Sequence, residues 1–136
     1  MKRRDSLLRL KRFRVDELKR RLGTLDEMKA DLERKLADLD EAVAREKQRA
    51  NDSDIGRLAF PSFLQSIDAR RKNIRATMKE LDKERAQAQE DLAGAFQDLK
   101  NFEVAEEERL RRIAEHEARS AQSRLDELSK IGRAHV

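Results

Sequence analysis

Apolar residues recur along the first fifty positions in alternating steps of three and four. They fit one heptad frame, which is interrupted at Lys11 and Lys29. Such a stripe is the seam of a coiled coil, and it needs a partner helix because two positions in every seven are costly to leave in water. The pattern predicts a helix over about residues 5–50, with a seam formed by Leu8, Val15, Leu18, Leu22, Leu25, Leu32, Leu36, Leu39 and Val43.

The stripe stops at Arg49, where turn-forming residues begin. Asn51, Ser53 and Gly56 lie close together and precede the single proline of the chain, Pro61. Clustered Asn, Asp, Ser and Gly favour a loop, and proline fits the first turn of a helix, where its missing N–H costs nothing. We therefore predict a loop over about residues 51–59 and a second helix over about residues 61–130.

A second heptad stripe fills that longer segment, interrupted at Arg71 and Arg85. If the chain folds back on itself, seam positions whose residue numbers add to about 110 face each other. This register pairs every seam position of one helix with a seam position of the other. The predicted fold is all-α, a two-helix antiparallel coiled-coil hairpin. The second seam consists of Phe60, Leu64, Ile67, Ile74, Met78, Leu81, Ala88, Leu92, Ala95, Leu99 and Phe102.

The cations that interrupt the two stripes fit the same register. Three of them, Lys29, Arg71 and Arg85, each fall beside an aspartate of the opposite helix, so the stem can lie on the seam while the charge reaches a carboxylate. Pairs of this kind add little stability, and we expect them mainly to disfavour slipped registers. The predicted pairs are Arg71 with Asp40, Arg85 with Asp26 and Lys29 with Asp82.

The second helix is expected to extend well beyond the first. With Leu8 facing Phe102, residue 1 reaches about position 109, and roughly 25 further residues have no intramolecular partner, about 40 Å of helix. We treat the chain as one hairpin over residues 1–136. Residues 131–136, IGRAHV, match one reading frame of a sequencing adaptor, and we expect them to be a non-native tail.

Charge is distributed unevenly along this hairpin. The chain has 32 Lys and Arg against 28 Asp and Glu, but ten of the cations and three of the anions fall within the first 21 residues. That segment therefore carries +7, and the rest of the chain −3. A basic helical segment is suited to an acidic protein surface, a nucleic acid or an anionic membrane. Its residues could also form a solvated face that keeps the protein soluble.

Catalytic chemistry has little support in the sequence. The chain lacks Cys, Trp and Tyr, has no phosphate-binding glycine loop, and places His116 between two glutamates without the second histidine of a zinc motif. A two-helix hairpin also offers no cavity that excludes water. We expect no enzyme activity, no cofactor and no metal site. In the absence of a signal peptide or membrane span at the N-terminus, we expect a cytoplasmic protein.

Two apolar groups outside the seam are candidate contact surfaces. Leu7, Leu10 and Phe13 lie near the basic cluster, and they could equally well cap the open end of the hairpin. Phe63 lies one position off the seam near the predicted loop. An exposed aromatic residue is a common anchor in protein interfaces, although local packing would also explain Phe63.

The chain resembles the FliJ family of flagellar export proteins, in the alphaproteobacterial form. The resemblance covers most of residues 1–130 and rests on the opening segment Asp5–Phe13, the early end of the first helix and the aromatic segment Phe60–Ile67. It implies a cytoplasmic coiled coil that acts in flagellum biogenesis and chemotaxis, peripherally at the inner-membrane export apparatus. Implied partners are the hexameric export ATPase, the cytoplasmic domain of the export gate and export chaperones.

The resemblance also implies two contact sites. Carried over by position, the export-gate contact comprises Phe63, Ile67, Arg70 and Ile74, where Arg70 and Ile74 replace smaller or polar residues of the family. The ATPase-facing basic end comprises Arg9, Lys11, Arg12, Arg14, Arg20 and Arg21. We expect a monomer or weak self-association, no specific nucleic-acid binding and no membrane insertion. The alternatives are a generic coiled-coil adaptor or chaperone and a basic nucleic-acid-binding helix pair.

Overall fold

The computed structural model describes residues 2–134, which form two long helices. Helix α1 spans Lys2–Asp52 and helix α2 spans Asp54–Ala134, with Ser53 between them. No strand occurs in this part of the chain. Leu, Ala, Glu, Lys, Arg and Gln dominate both segments, and all six are strong helix formers. The two helices, the second longer than the first, confirm the predicted all-α hairpin. Residues 135 and 136, which end the predicted tail, lie outside the described residues.

Contacts divide the chain into two compact units, Arg14–Gly94 and a unit formed by Met1–Phe13 with Ala95–Val136. In Arg14–Gly94, the buried side chains come from predicted seam positions of both helices, with one addition near the turn, Ala50, which lies beyond the predicted stripe. Ala88 lies among leucines in this core, and a small side chain lets the two backbones approach closely. The core cluster consists of Leu25, Leu81 and Ala88, with Leu22 and Leu32 packed against it.

Cross-helix ion pairs in Arg14–Gly94 confirm the predicted register. All three seam cations reach the aspartates expected of them, and the residue numbers of each pair add to within one of 110. Their apolar stems cover the seam while their charges stay near its edge. The pairs are Lys29 with Asp82 at 3.0 Å, Arg71 with Asp40 at 2.6 Å and Arg85 with Asp26 at 2.6 Å.

Arg71 lies between carboxylates of both helices. Its hydrogen bond to Asp40 raises the pKa of the guanidinium, and Asp68, one turn earlier on α2, acts in the same direction at 3.2 Å. Partial desolvation opposes this rise in the pKa. An arginine is charged at ordinary pH in any case, and the raised pKa makes loss of its charge still less favourable.

The unit formed by Met1–Phe13 and Ala95–Val136 keeps the same register. Lys11 Nζ donates to Asp98 at 2.6 Å and lies 5.6 Å from the ring centroid of Phe102. Arg4 approaches Glu106 at 3.7 Å, and Glu106 also accepts a hydrogen bond from Arg109. Glu106 lies four residues after Phe102, the last residue of the predicted seam, and the charge of this glutamate is shared between two arginines.

The predicted loop over residues 51–59 is wrong, because Ser53 is the one non-helical residue between the helices. Its hydroxyl accepts the N–H of Gly56 at 2.9 Å, which caps the start of α2, and its own N–H donates to the carbonyl of Arg49 at 3.1 Å. Asp54 adds a carboxylate where the helix dipole favours one. Turn-forming residues here make a cap instead of a loop.

The predicted position of Pro61, in the first turn of the second helix, is also wrong. Pro61 is the eighth residue of α2 and not part of its first turn. A proline there removes one hydrogen bond to the carbonyl four residues earlier, which belongs to Arg57. Arg57 and Pro61 are both exposed, so water can solvate the carbonyl that the proline leaves free.

Gly56 permits the close approach of the two helices at the turn. A Cβ atom at this position would lie 2.7 Å from the carbonyl oxygen of Arg49, whereas Gly23 and Gly94 have no atom within 4 Å of such a Cβ. We expect Gly56→Ala to lower the free energy of unfolding by about 1–2 kcal/mol through this clash. Gly23→Ala and Gly94→Ala should each raise it by about 0.5–1 kcal/mol, because alanine favours a helix interior.

Urea unfolding followed by circular dichroism measures all three variants. Helix propensity alone predicts that alanine raises the free energy of unfolding at all three glycines. A decrease at Gly56 alone would therefore be specific to the turn. A stabilised Gly56→Ala variant would contradict the close approach.

Candidate functional site

The N-terminal part of α1 is the first candidate site. In the unit that includes Met1–Phe13, Arg9 and Arg12 are exposed, and neither forms an ion pair with the described residues. Lys11 differs from them, because its side chain is directed across the seam to Asp98 and Phe102. Arg9 and Arg12 are therefore available to an acidic partner, while Lys11 stabilises the hairpin.

The other three predicted basic residues lie in the unit Arg14–Gly94. Arg14 pairs with Glu17 on its own helix at 2.6 Å, and Arg21 approaches Glu84 of α2 at 3.7 Å. Arg20 is exposed and forms no ion pair within residues 2–134. An anionic partner has to compete with a local carboxylate at Arg14 and Arg21, but not at Arg20.

Apolar side chains accompany the unpaired arginines on α1. Leu7, Leu10 and Phe13 are all exposed, and they recur every third residue along the outer side of the helix. The unit formed by Met1–Phe13 and Ala95–Val136 therefore presents a mixed surface, in which guanidinium groups flank apolar side chains. Mixed surfaces of this type are common in protein interfaces, where Arg and aromatic residues are enriched.

The predicted export-gate residues lie on one face of α2, in the unit Arg14–Gly94. Their spacing of four, three and four places them one above another. Ile67 is 2% exposed and is the most deeply buried large side chain described, whereas Phe63 and Ile74 are half-buried and Arg70 is exposed. Most of this face is therefore covered by α1, and a partner can reach Arg70 and the edges of Phe63 and Ile74.

A shallow groove lies beside Arg70 and Ile74. Helix α1 forms its other wall, so that a partner side chain entering it would contact both helices. Cations and an acidic residue border an apolar floor made by Leu39 and Ile74. The groove has a volume of about 390 Å³ and is lined by Lys35, Asp38, Leu39, Arg70, Asn73 and Ile74.

Two exposed apolar residues near the turn are not among the predicted contact residues. Ile55 and Leu58 are each 82% exposed on the first turns of α2. The turn formers around them favour a loop in the sequence, which hides their helical spacing. The signal that reveals it is Ser53 as a helix cap, since a helix starting there places both residues on one face, three residues apart.

Residues with catalytic or metal-binding potential do not converge in this structure. Within residues 2–134, no three histidine, cysteine or carboxylate residues are grouped as a metal ion would require. His116 is exposed on α2 between Glu115 and Glu117. Neither helix contains an apolar stretch of the length that crossing a bilayer demands, as far as the described residues extend. The candidate sites are thus surfaces along two helices.

These surfaces alone do not distinguish a flagellar export protein from a generic coiled-coil adaptor or a nucleic-acid-binding helix pair. Comparison with known families does. The family model described as Flagellar FliJ protein matches residues 1–134. The chain belongs to the FliJ family. FliJ proteins are non-enzymatic coiled-coil components of flagellar protein export, so this chain takes part in flagellum biogenesis among the components of the export apparatus.

Comparisons with curated proteins and with solved structures gave no significant match. The family assignment therefore rests on the family model, and the contact residues carried over from the family resemblance stay predictions.

Proposed function

We propose that this FliJ-family chain acts in the cytoplasm, peripherally at the inner-membrane export apparatus, in flagellar export and so in motility and chemotaxis. It binds the hexameric export ATPase through α1, contacts the cytoplasmic domain of the export gate through α2 and escorts export chaperones. The observation that best supports the ATPase contact is the exposure of Arg9 and Arg12, two arginines without an ion-pair partner in the described chain.

The physical basis for the ATPase contact is charge. The first 21 residues carry +7, and the exposed arginines within them add to the field that an acidic surface of the ATPase ring would meet. An unpaired arginine can bind a carboxylate of the ATPase without the free-energy cost of first breaking an ion pair within the hairpin. Arg9, Arg12 and Arg20 therefore contribute to binding, whereas Lys11, Arg14 and Arg21 are engaged within the hairpin.

A charge-reversal experiment tests this contact. The double variant Arg9→Glu/Arg12→Glu should bind the cognate export ATPase about tenfold or more weakly at low salt, and the difference should shrink as salt rises. The fold should be unchanged, since neither side chain pairs with α2. Isothermal titration calorimetry at several NaCl concentrations measures both quantities.

The matched control is Lys47→Glu/Lys79→Glu. Both lysines are exposed and outside the ion pairs of the described chain, so this variant has the same net charge as the first. A nonspecific charge effect would weaken both variants equally. That result, or an affinity that does not depend on salt, would contradict the proposal.

We propose that the export gate contacts the exposed side of the predicted face on α2. Phe63, Arg70 and Ile74 offer partly exposed atoms, and the groove beside Arg70 and Ile74 can accept a side chain of the gate. Ile67 supports this surface from beneath, because its side chain is buried between the helices. The gate then binds the closed hairpin without displacing α1.

A further inference from the structure

The seam of the hairpin continues along α2 past the point where α1 begins. Arg4 with Glu106 is the ion pair nearest the start of α1. Beyond it, Leu110, Leu125 and Leu128 are exposed, the last two at 60% and 64%. The same row includes three exposed alanines, so the uncovered seam consists of Leu110, Ala114, Ala118, Ala121, Leu125 and Leu128.

We propose that a second copy of this chain covers the uncovered seam, with the two α2 helices antiparallel. In the register that best matches the side chains, positions whose numbers add to about 239 face each other. Leu110 then faces Leu128 of the second copy, and Ala114 faces Leu125. Ala118 faces Ala121 at the centre, where two small residues let the helices approach closely.

The hairpin itself provides the precedent for these layers. Ala88 belongs to its core cluster, against which Leu22 of α1 packs, and the proposed dimer repeats this combination of small and large residues. The uncovered seam continues the covered one along α2, and a row of apolar side chains on a helix is costly to leave in water. A second copy supplies a matching face without any other partner.

Charges beside the uncovered seam support the same register. Glu117 and Arg124 occupy equivalent heptad positions one heptad apart, and neither pairs with another described residue. Ion pairs in this part of α2 are made by other residues, among them Arg111 with Glu108 and Glu115. In the antiparallel pair, Glu117 of each copy lies beside Arg124 of the other. Matching charges of this kind also accompany the confirmed register of the hairpin.

An apolar groove occupies the expected place for one of the leucines. It has a volume of about 390 Å³ and opens beside Arg124 and Leu128, and Ile131 of the expected non-native tail only borders it. In the proposed register, Leu110 of the second copy points to this groove, as a knob enters a hole between four residues of a facing helix. The full lining is Ser123, Arg124, Glu127, Leu128 and Ile131.

The length of the uncovered seam also fits a second copy. In this register, the segment 110–129 pairs with itself, and residues 130–134, which belong mostly to the expected non-native tail, reach the start of α1 in the other copy. The segment is about 30 Å long, and its small side chains bury an area at the low end of specific interfaces, below about 1,200 Å² in total. The dimer should therefore be reversible and depend on protein concentration.

Sedimentation equilibrium of the full chain over a wide concentration series tests the proposal. The wild type should dimerise, and Glu117→Arg or Arg124→Glu should each weaken dimerisation about tenfold or more, because two attractive pairs become two repulsive ones. Mixing these two variants should restore association, since each then supplies the opposite charge to the other. The double variant Glu117→Arg/Arg124→Glu should dimerise like the wild type.

Several outcomes would overturn the proposal. A wild type that stays monomeric at every concentration excludes the second copy, and single variants that dimerise normally exclude this register. Protection of the segment 110–129 from proteolysis only after the cognate export ATPase is added would assign the seam to a partner helix instead. None of the self-association measurements includes the ATPase, so they stand or fall independently of the proposed export contacts.

Disulfide trapping checks the helix direction separately. The chain has no cysteine, so Ala114→Cys and Leu125→Cys each introduce a single thiol. Mixed and oxidised together, the two variants should give the heterodisulfide, because these positions face each other in the antiparallel pair. Predominant homodisulfides would indicate parallel helices and would overturn the proposed arrangement.

Discussion

Replacing Ile67 with alanine should lower the free energy of unfolding by about 2–4 kcal/mol. The side chain is 2% exposed within the seam, and alanine would leave a cavity that the helix backbones can close only in part. This buried position contributes to stability regardless of any partner. Urea unfolding of the variant, followed by circular dichroism, measures the loss.

The matched control for this prediction is Ile55→Ala. Ile55 is the same residue type on the same helix, but it is 82% exposed, and alanine is the better helix former. Its free energy of unfolding should therefore change by less than about 0.5 kcal/mol. Similar losses at both positions would show that Ile67 is not buried by α1.

Phe63→Ala should weaken binding to the cytoplasmic domain of the export gate by about 1–3 kcal/mol, or about 5- to 150-fold. The ring is half-buried beside the seam, so part of it is packed and part is open to a partner. An aromatic side chain that is already ordered loses little entropy on binding. Surface plasmon resonance with the cognate gate domain measures the change.

Phe96→Ala is the control for that measurement. Phe96 is exposed on α2 outside the proposed gate face, so its removal should leave the affinity for the gate unchanged. Because Phe63 also touches the hairpin, the unfolding of each variant is measured and affinities are compared where all are folded. Equal affinities of Phe63→Ala and the wild type would remove Phe63 from the gate contact.

The long-range pairing of the helices could be predicted because heptad spacing is a periodic property of the sequence. Leu25 and Leu81 follow the alternating steps of three and four, and Arg85 falls opposite Asp26 only in one register. Each of these signals repeats over many turns, so that errors at single positions do not alter the result. The fold class and the cross-helix ion pairs were therefore accessible without a structure.

The turn could not be predicted in the same way, because one residue decides it. Ser53, Asp54 and Gly56 are common both in loops and in helix caps, and their local preferences do not distinguish the two. The close approach of Gly56 to Arg49 is a property of the packed helices. The exposed positions of Ile55 and Leu58 follow from where α2 begins. The sequence therefore does not predict them either.

The candidate sites were predictable as segments but not as individual side chains. Sequence could place Lys11 and Arg12 in one basic cluster, but only the structure separates them, since Lys11 turns across the seam and Arg12 does not. Ile67 likewise shares a helical face with Arg70, yet burial by α1 divides that face into a covered and an open side. Position along a helix determines the face, while the partner helix determines which atoms remain accessible.

The one-residue turn at Ser53 also determines the order in which the helices can pair. Contacts next to the turn close loops of few residues, and each further heptad adds to a pair of helices that is already aligned. We therefore expect the residues most distant from Ser53 in sequence to pair last and to separate first.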